Sequence, residues 1–170
     1  GKSTEYNALG KLESESNYHA GVLHGNVKHF DLNGKMNAFD NHESGFIVGE
    51  SIIYHPNEKQ FVVTTFDIGS KNGPESYYNS DGTKVLVLNY FNNFIESYQV
   101  LNNENKMGEV IPLTSEITVI KSNFSDGKPA LEMSLKKNGY VYGQSVRGAD
   151  KEFKDWVLSG DYITDKIKDD

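Results

Sequence analysis

The sequence predicts an all-β chain: a single-layer array of antiparallel β-hairpins built from units of about 24 residues, closed by a short C-terminal helix. Three observations predict it. Glycine pairs recur at a fixed period, aromatic residues recur in step with them, and Asn-Gly or Asp-Gly turns separate runs rich in β-branched and aromatic residues.

The glycine element comes first. Gly21-Val22-Leu23-His24-Gly25 returns as Gly45-Phe46-Ile47-Val48-Gly49 and as Gly69-Ser70-Lys71-Asn72-Gly73. A fourth register, Asn93-Phe94-Ile95-Glu96-Ser97, keeps the spacing with Asn and Ser in place of the glycines. One aromatic column runs Phe30, Tyr54 and Tyr78, and a second runs Tyr18, His42, Phe66 and Tyr90. A turn column runs Gly10, Gly34, Glu58 and Gly82. Several columns sharing one period mark a repeat array in which each unit is one supersecondary element.

Each unit reads as two strands and two turns. Phe30-Asp31-Leu32-Asn33-Gly34-Lys35 and Tyr78-Asn79-Ser80-Asp81-Gly82-Thr83 place a turn dipeptide between extended segments. The strands are Gln60 to Phe66 and Lys84 to Tyr90, rich in Val, Leu, Thr and aromatics. The Gly-x-x-x-Gly element is the expected return connection, with glycine supplying conformations that a Cβ forbids. The structural turns are therefore Gly21, Gly25, Gly34, Gly45, Gly49, Gly69, Gly73 and Gly82. The pattern blurs over residues 93–125 and resumes with Asp126-Gly127-Lys128 and Asn138-Gly139 through Gly143-Gln144. The array is placed at 1–147. The tail, 148–170, reads as a helical cap: Asp150 caps a helix through Phe153, Trp156 and Val157, with Ile163 and Ile167 in a second turn. Such a cap would cover an open sheet edge.

At these residues the sequence resembles the MORN-repeat family in its bacterial, YwqK-type antitoxin-like variant. The unit of that variant shows in Gly10-Lys11 through Tyr18 to Gly21 and Gly25, and in Gly34-Lys35 through His42 to Gly45, Gly49 and Glu50. It shows again in Gly82-Thr83-Lys84 through Tyr90, and more loosely from Asp126 to Gln144. Glu follows the second glycine only at Glu50, with Asn26, Pro74 and Gln144 elsewhere. The resemblance implies a meandering antiparallel sheet that works by binding proteins or lipids and not by catalysis.

Composition narrows the function further. Hydrophobic residues make up 36% of the chain, with 10 Tyr and 9 Phe, which suits a thin, half-exposed β architecture. The formal charge is −7, and an acidic chain lacks the basic face that displaces counterions from nucleic acid. Cysteine is absent, so disulfides, thiolate metal sites and Cys nucleophiles are excluded. The opening Gly1-Lys2-Ser3-Thr4-Glu5 reads as that of a trimmed or mature product, and the expectation slightly favours export to the periplasm or surface over the cytoplasm.

Candidate chemistry is sparse. The histidines His19, His24, His29, His42 and His55 would be the ligands of any metal site, but their columns hold Val, Asn, Ile and aromatics in other units. They read as repeat decay at tolerant surface positions, and no metal or other cofactor is expected. Glu109, Glu116 and Glu132 could pair as hydrolase carboxylates, yet nothing in their spacing demands it. No catalytic residue is assigned. The ligand-binding candidates are the aromatic face Tyr18, Phe30, Tyr54, Phe66, Tyr78 and Tyr90, which read first as a packing ladder between neighbouring hairpins. The expectation is a non-enzymatic binding or scaffold module recognising another protein. An exported protein binding envelope lipid or cell-wall glycan is the alternative, and a carboxylate-dependent hydrolase a third class.

Overall fold

The structure is a computed structural model and describes residues 1–100, 106–113, 117–123, 129–136 and 141–145. The expected helical cap at 148–170 and the turns at 126–128 and 138–140 lie outside the described residues.

Every described element is a strand. In chain order they are β1 (Lys2–Tyr6), β2 (Leu12–His19), β3 (Val22–Phe30), β4 (Met36–Glu43), β5 (Phe46–Ile47), β6 (Gly49–Tyr54), β7 (Gln60–Asp67), β8 (Ser70–Tyr78), β9 (Lys84–Phe91), β10 (Phe94–Val100), β11 (Ile111–Pro112), β12 (Ile117–Asn123), β13 (Pro129–Lys136) and β14 (Val141–Ser145). The first eleven form one antiparallel meander in sequence order, with β5 paired to β4 beside β6. The stretch read as degenerate, 93–125, is where one sheet gives way to another. The main sheet ends at the two-residue β11, whose Pro112 has no N–H to offer a further strand, and β12–β14 form a second sheet. The backbone of β12 passes close to β9 and β10.

The long period follows from the hairpins. At one end of each unit the turn begins at Asn7, Asp31, His55 or Asn79, and its carbonyl accepts the amide of Gly10, Gly34, Glu58 or Gly82 at 2.8–2.9 Å. That fourth residue has positive φ each time: 71°, 82°, 66° and 92°. The side chains of Asn7 and Asp31 cap the same turns by accepting amides two and four residues on. The Lys35 amide bond is the main reason the Asp31 carboxyl sits below the usual carboxylate range. Neighbouring turns are tied by lysines: Lys35 Nζ donates to Pro56 O at 3.0 Å and Lys59 Nζ to Asp81 O at 2.7 Å.

The core lies in the later hairpins. Phe61, Val62 and Val63 of β7 and Val85, Leu86, Val87 and Leu88 of β9 are all buried. Consecutive buried residues point to opposite faces of a strand, so both faces are covered here. This differs from the thin, half-exposed layer read from composition. The apolar runs of β7 and β9 leave no polar face to give to water. Burying each such side chain is worth about 1.5–3 kcal/mol. Toward the N-terminus the strands alternate and carry polar residues on both faces; β2 buries only Ser14.

Candidate functional site

At the opposite end of the sheet from the Asn and Asp turns, four hairpin tips stand side by side. Each is a two-residue turn with both residues at positive φ: Ala20-Gly21, Ser44-Gly45, Ile68-Gly69 and Asn92-Asn93. That conformation matches the twist of the flanking strands and requires residues that tolerate it. Successive tips are locked together by backbone bonds from Gly45 N to Leu23 O, Gly69 N to Ile47 O and Asn93 N to Lys71 O, all 2.8–2.9 Å.

Only the first glycine of each Gly-x-x-x-Gly element is in the turn. The second lies inside the following strand at a bulge, not in a return connection. Asn72, Gly73 and Pro74 together face Thr65, just as His24, Gly25 and Asn26 face Asn17. A Cβ on Gly73 would stand 3.3 Å from Thr65 and would need φ of +113°. In the fourth register Ser97 replaces that glycine and the bulge shrinks, leaving Glu96 as the one extra residue. A side chain at that place disfavours the wider bulge's backbone.

Register assigns the columns to faces. Tyr18, His42, Phe66 and Tyr90 share one face, alternating along the row with Leu23, Ile47, Lys71 and Ile95. Phe30, Tyr54 and Tyr78 are on the other face, near the other end of the strands. The six aromatic candidates therefore do not form one surface. Tyr90 is buried and the remaining five are half-buried. Of the histidines, His55 is a core residue at 4% exposure, contrary to a surface assignment: its Nε2 donates to Tyr78 O at 2.9 Å and its ring meets Phe61. His19 and His24 lie with ring centroids 5.8 Å apart.

Two constellations were not singled out from the sequence. The first centres on Glu75, fully buried on β8. Its carboxylate accepts from Tyr77 Oη at 2.6 Å, Thr64 Oγ1 at 2.9 Å, Tyr90 Oη at 3.4 Å and Lys71 Nζ, and the ammonium lies 4.8 Å from the centre of the Tyr90 ring. Burial, reinforced by the Glu75 charge, raises the Tyr90 phenol well above its ordinary value. A carboxylate so enclosed and neutralised is a fastening inside the fold.

The second is an exposed ridge across the tips. Val22, Phe46, Phe91 and Phe94 are 45%, 54%, 54% and 55% exposed and lie on one face, with Ile68 at the intervening turn 67% exposed. The same edge row carries the exposed carboxylates Glu43 and Asp67, cross-strand partners of Phe46 and Ser70. The signal was available in the sequence: Val22, Phe46, Ser70 and Phe94 are a column at the same period, directly after each turn.

These hairpins carry a recognisable signature. Residues 1–20 match the family model described as MORN repeat variant. The match spans β1, the turn at Asn7–Gly10, β2 and the start of the first tip. The same turn and tip hydrogen bonds recur through Asn93, so the hairpin unit that the match covers is repeated along β1–β10. No curated protein matches the chain.

Proposed function

We propose that this chain is a non-enzymatic binding module that recognises another protein through its repeat sheet. MORN repeats are generally thought to mediate binding or scaffolding, and the likeness at residues 1–20 supports that class. The observation that carries the reading is the apolar ridge of Val22, Phe46, Ile68, Phe91 and Phe94. Large apolar side chains left in water in a row, and held by a hydrogen-bonded backbone, mark an association surface. Their support is rigid, which reduces the ordering cost of binding. Glu43 and Asp67 beside them repel anionic surfaces and favour a basic protein partner.

The test is affinity capture from a lysate of the source cells, with bound proteins identified by mass spectrometry and lipids by extraction. A stoichiometric protein that is lost at high salt is the expected result. Lipid or wall material without a protein would replace this reading with envelope binding, and turnover of a substrate would replace it with catalysis.

A further inference from the structure

The ridge has dimensions and charge that specify its occupant more narrowly. We propose that it docks a basic amphipathic helix of the partner, lying across the hairpin tips; this rests on the protein-binding reading above.

Spacing is the first argument. Consecutive tips are two strands apart, about 9.6 Å at the usual strand separation. Seven residues of α-helix advance about 10.5 Å. A helix with apolar residues at heptad spacing therefore places one side chain near each tip, against Val22, Phe46, Ile68 and the Phe91–Phe94 pair in turn. The three steps from the first tip to the fourth cover about 29 Å, the length of about 20 helical residues.

The second argument is charge. On this face the edge row holds Glu43 and Asp67, and the next row inward holds Glu50, all exposed. Apart from Lys2 on the outer strand, which pairs with Asn17 and is held by Glu15 at 2.8 Å, the two rows, His19, Val22, Glu43, Phe46, Asp67, Ser70, Phe91 and Phe94 and then Asn17, Asn26, Asn41, Glu50, Thr65, Pro74, Asn89 and Ser97, contain no Lys or Arg. Lys71, near the third tip, belongs to the opposite face, where it meets Glu75. Lysines or arginines flanking the apolar stripe of a helix would meet these carboxylates. An anionic membrane would be repelled by them.

Rigidity is the third. The bonds from Gly45, Gly69 and Asn93 fix the tips relative to one another, and Gly45 and Gly69 let the next tip pack on Val22 and Phe46: a Cβ there would come within 3.1 Å and 3.3 Å of those side chains. The ridge is thus preformed in the free protein.

The experiment uses the full chain and three fluorescent 21-residue peptides of Leu, Ala and Lys: one with leucines at heptad spacing on one face, one with the same composition scrambled, and one with Glu for Lys. Anisotropy should show the first binding at least tenfold tighter than the other two, and weakening with salt. The double variant Phe46→Ser/Phe94→Ser, at exposed positions, should keep its circular dichroism and lose at least tenfold in affinity for the first peptide. Equal binding of the scrambled peptide, no binding of the first, unchanged affinity of the double variant, or a preference for vesicles containing phosphatidylserine would each overturn the helix assignment. The double variant in the lysate capture separates the two levels. A partner retained by it leaves the binding module standing and removes the ridge; no partner for either protein removes the binding reading itself.

Discussion

Lys71 and Glu75 are four residues apart on one β-strand, yet their side chains form an ion pair. A regular strand would set their Cα atoms about 13 Å apart. Register pairs Lys71 with Phe66 and Glu75 with Thr64, so the segment runs beside only two residue steps, about 7 Å. The bulge at Gly73 takes up the difference, and it exists because glycine tolerates φ of +113°. A feature visible as a glycine in the sequence thus governs a buried polar contact two residues away.

Gly73→Ala should therefore cost more than a surface substitution. The new methyl meets Thr65 at 3.3 Å and the backbone is strained, a loss of about 1–3 kcal/mol. Gly10→Ala is the control, since φ is also positive there but no atom lies within 4 Å. Urea midpoints that fall equally for both would mean that the crowding contributes nothing.

Glu58 occupies the column filled by glycine in the other three turns, at φ 66°. Glu58→Gly relieves a left-handed backbone, partly offset by the greater freedom of glycine in the unfolded chain, for a net gain of about 1 kcal/mol or less. The ion pair lost with Lys35, 3.5 Å long and on the surface, is worth little. Equilibrium unfolding should show a higher midpoint with an unchanged slope. A lower midpoint would contradict the strain argument.

Glu75→Gln keeps the shape and removes the charge that the Lys71 ammonium faces. The expected loss is about 2–4 kcal/mol. Lys71→Met added to it should recover part of that loss, because no ammonium then stands beside the neutral amide. A double-mutant cycle reads the coupling directly, and additive losses would show that the pair does not interact in the folded state.

Tyr90 sets a limit on alkaline stability. Burial first, then the charge and hydrogen bond of Glu75, raises its phenol from an ordinary value of 10.0. The folded protein keeps the proton that the unfolded chain releases above about pH 10, so stability falls as pH rises beyond that point. Tyr90→Phe should flatten the decline between pH 9.5 and 11.5 in thermal scans, roughly at the cost of one long hydrogen bond. An unchanged decline would assign it to other tyrosines.

Much of this protein is legible in the order of its residues. Turn chemistry is local: a glycine or Asn that must take positive φ, or an Asp that caps its own turn, announces itself within four residues, and repetition every 24 residues turns such signals into a fold. Glu58 shows the reach of that reasoning, since its column required a left-handed residue and the backbone takes that conformation there despite the side chain.

The sequence by itself determined the repeat, most of the strands and the turns at the Asn, Asp and first-glycine positions, while the second glycines proved to be strand bulges. Tertiary structure decided which columns share a face, which residues are buried and what remains in water. Tyr18 and Phe30 look equivalent as aromatic columns, but the pairing of the strands puts them on opposite faces. His55 looks like a surface substitution until the Tyr78 carbonyl and the Phe61 ring enclose it. Phe46 and Leu88 are both apolar residues in strands, yet one is 54% exposed and the other 0%. Burial is a property of what packs against a residue from afar, and no short window of sequence contains those neighbours.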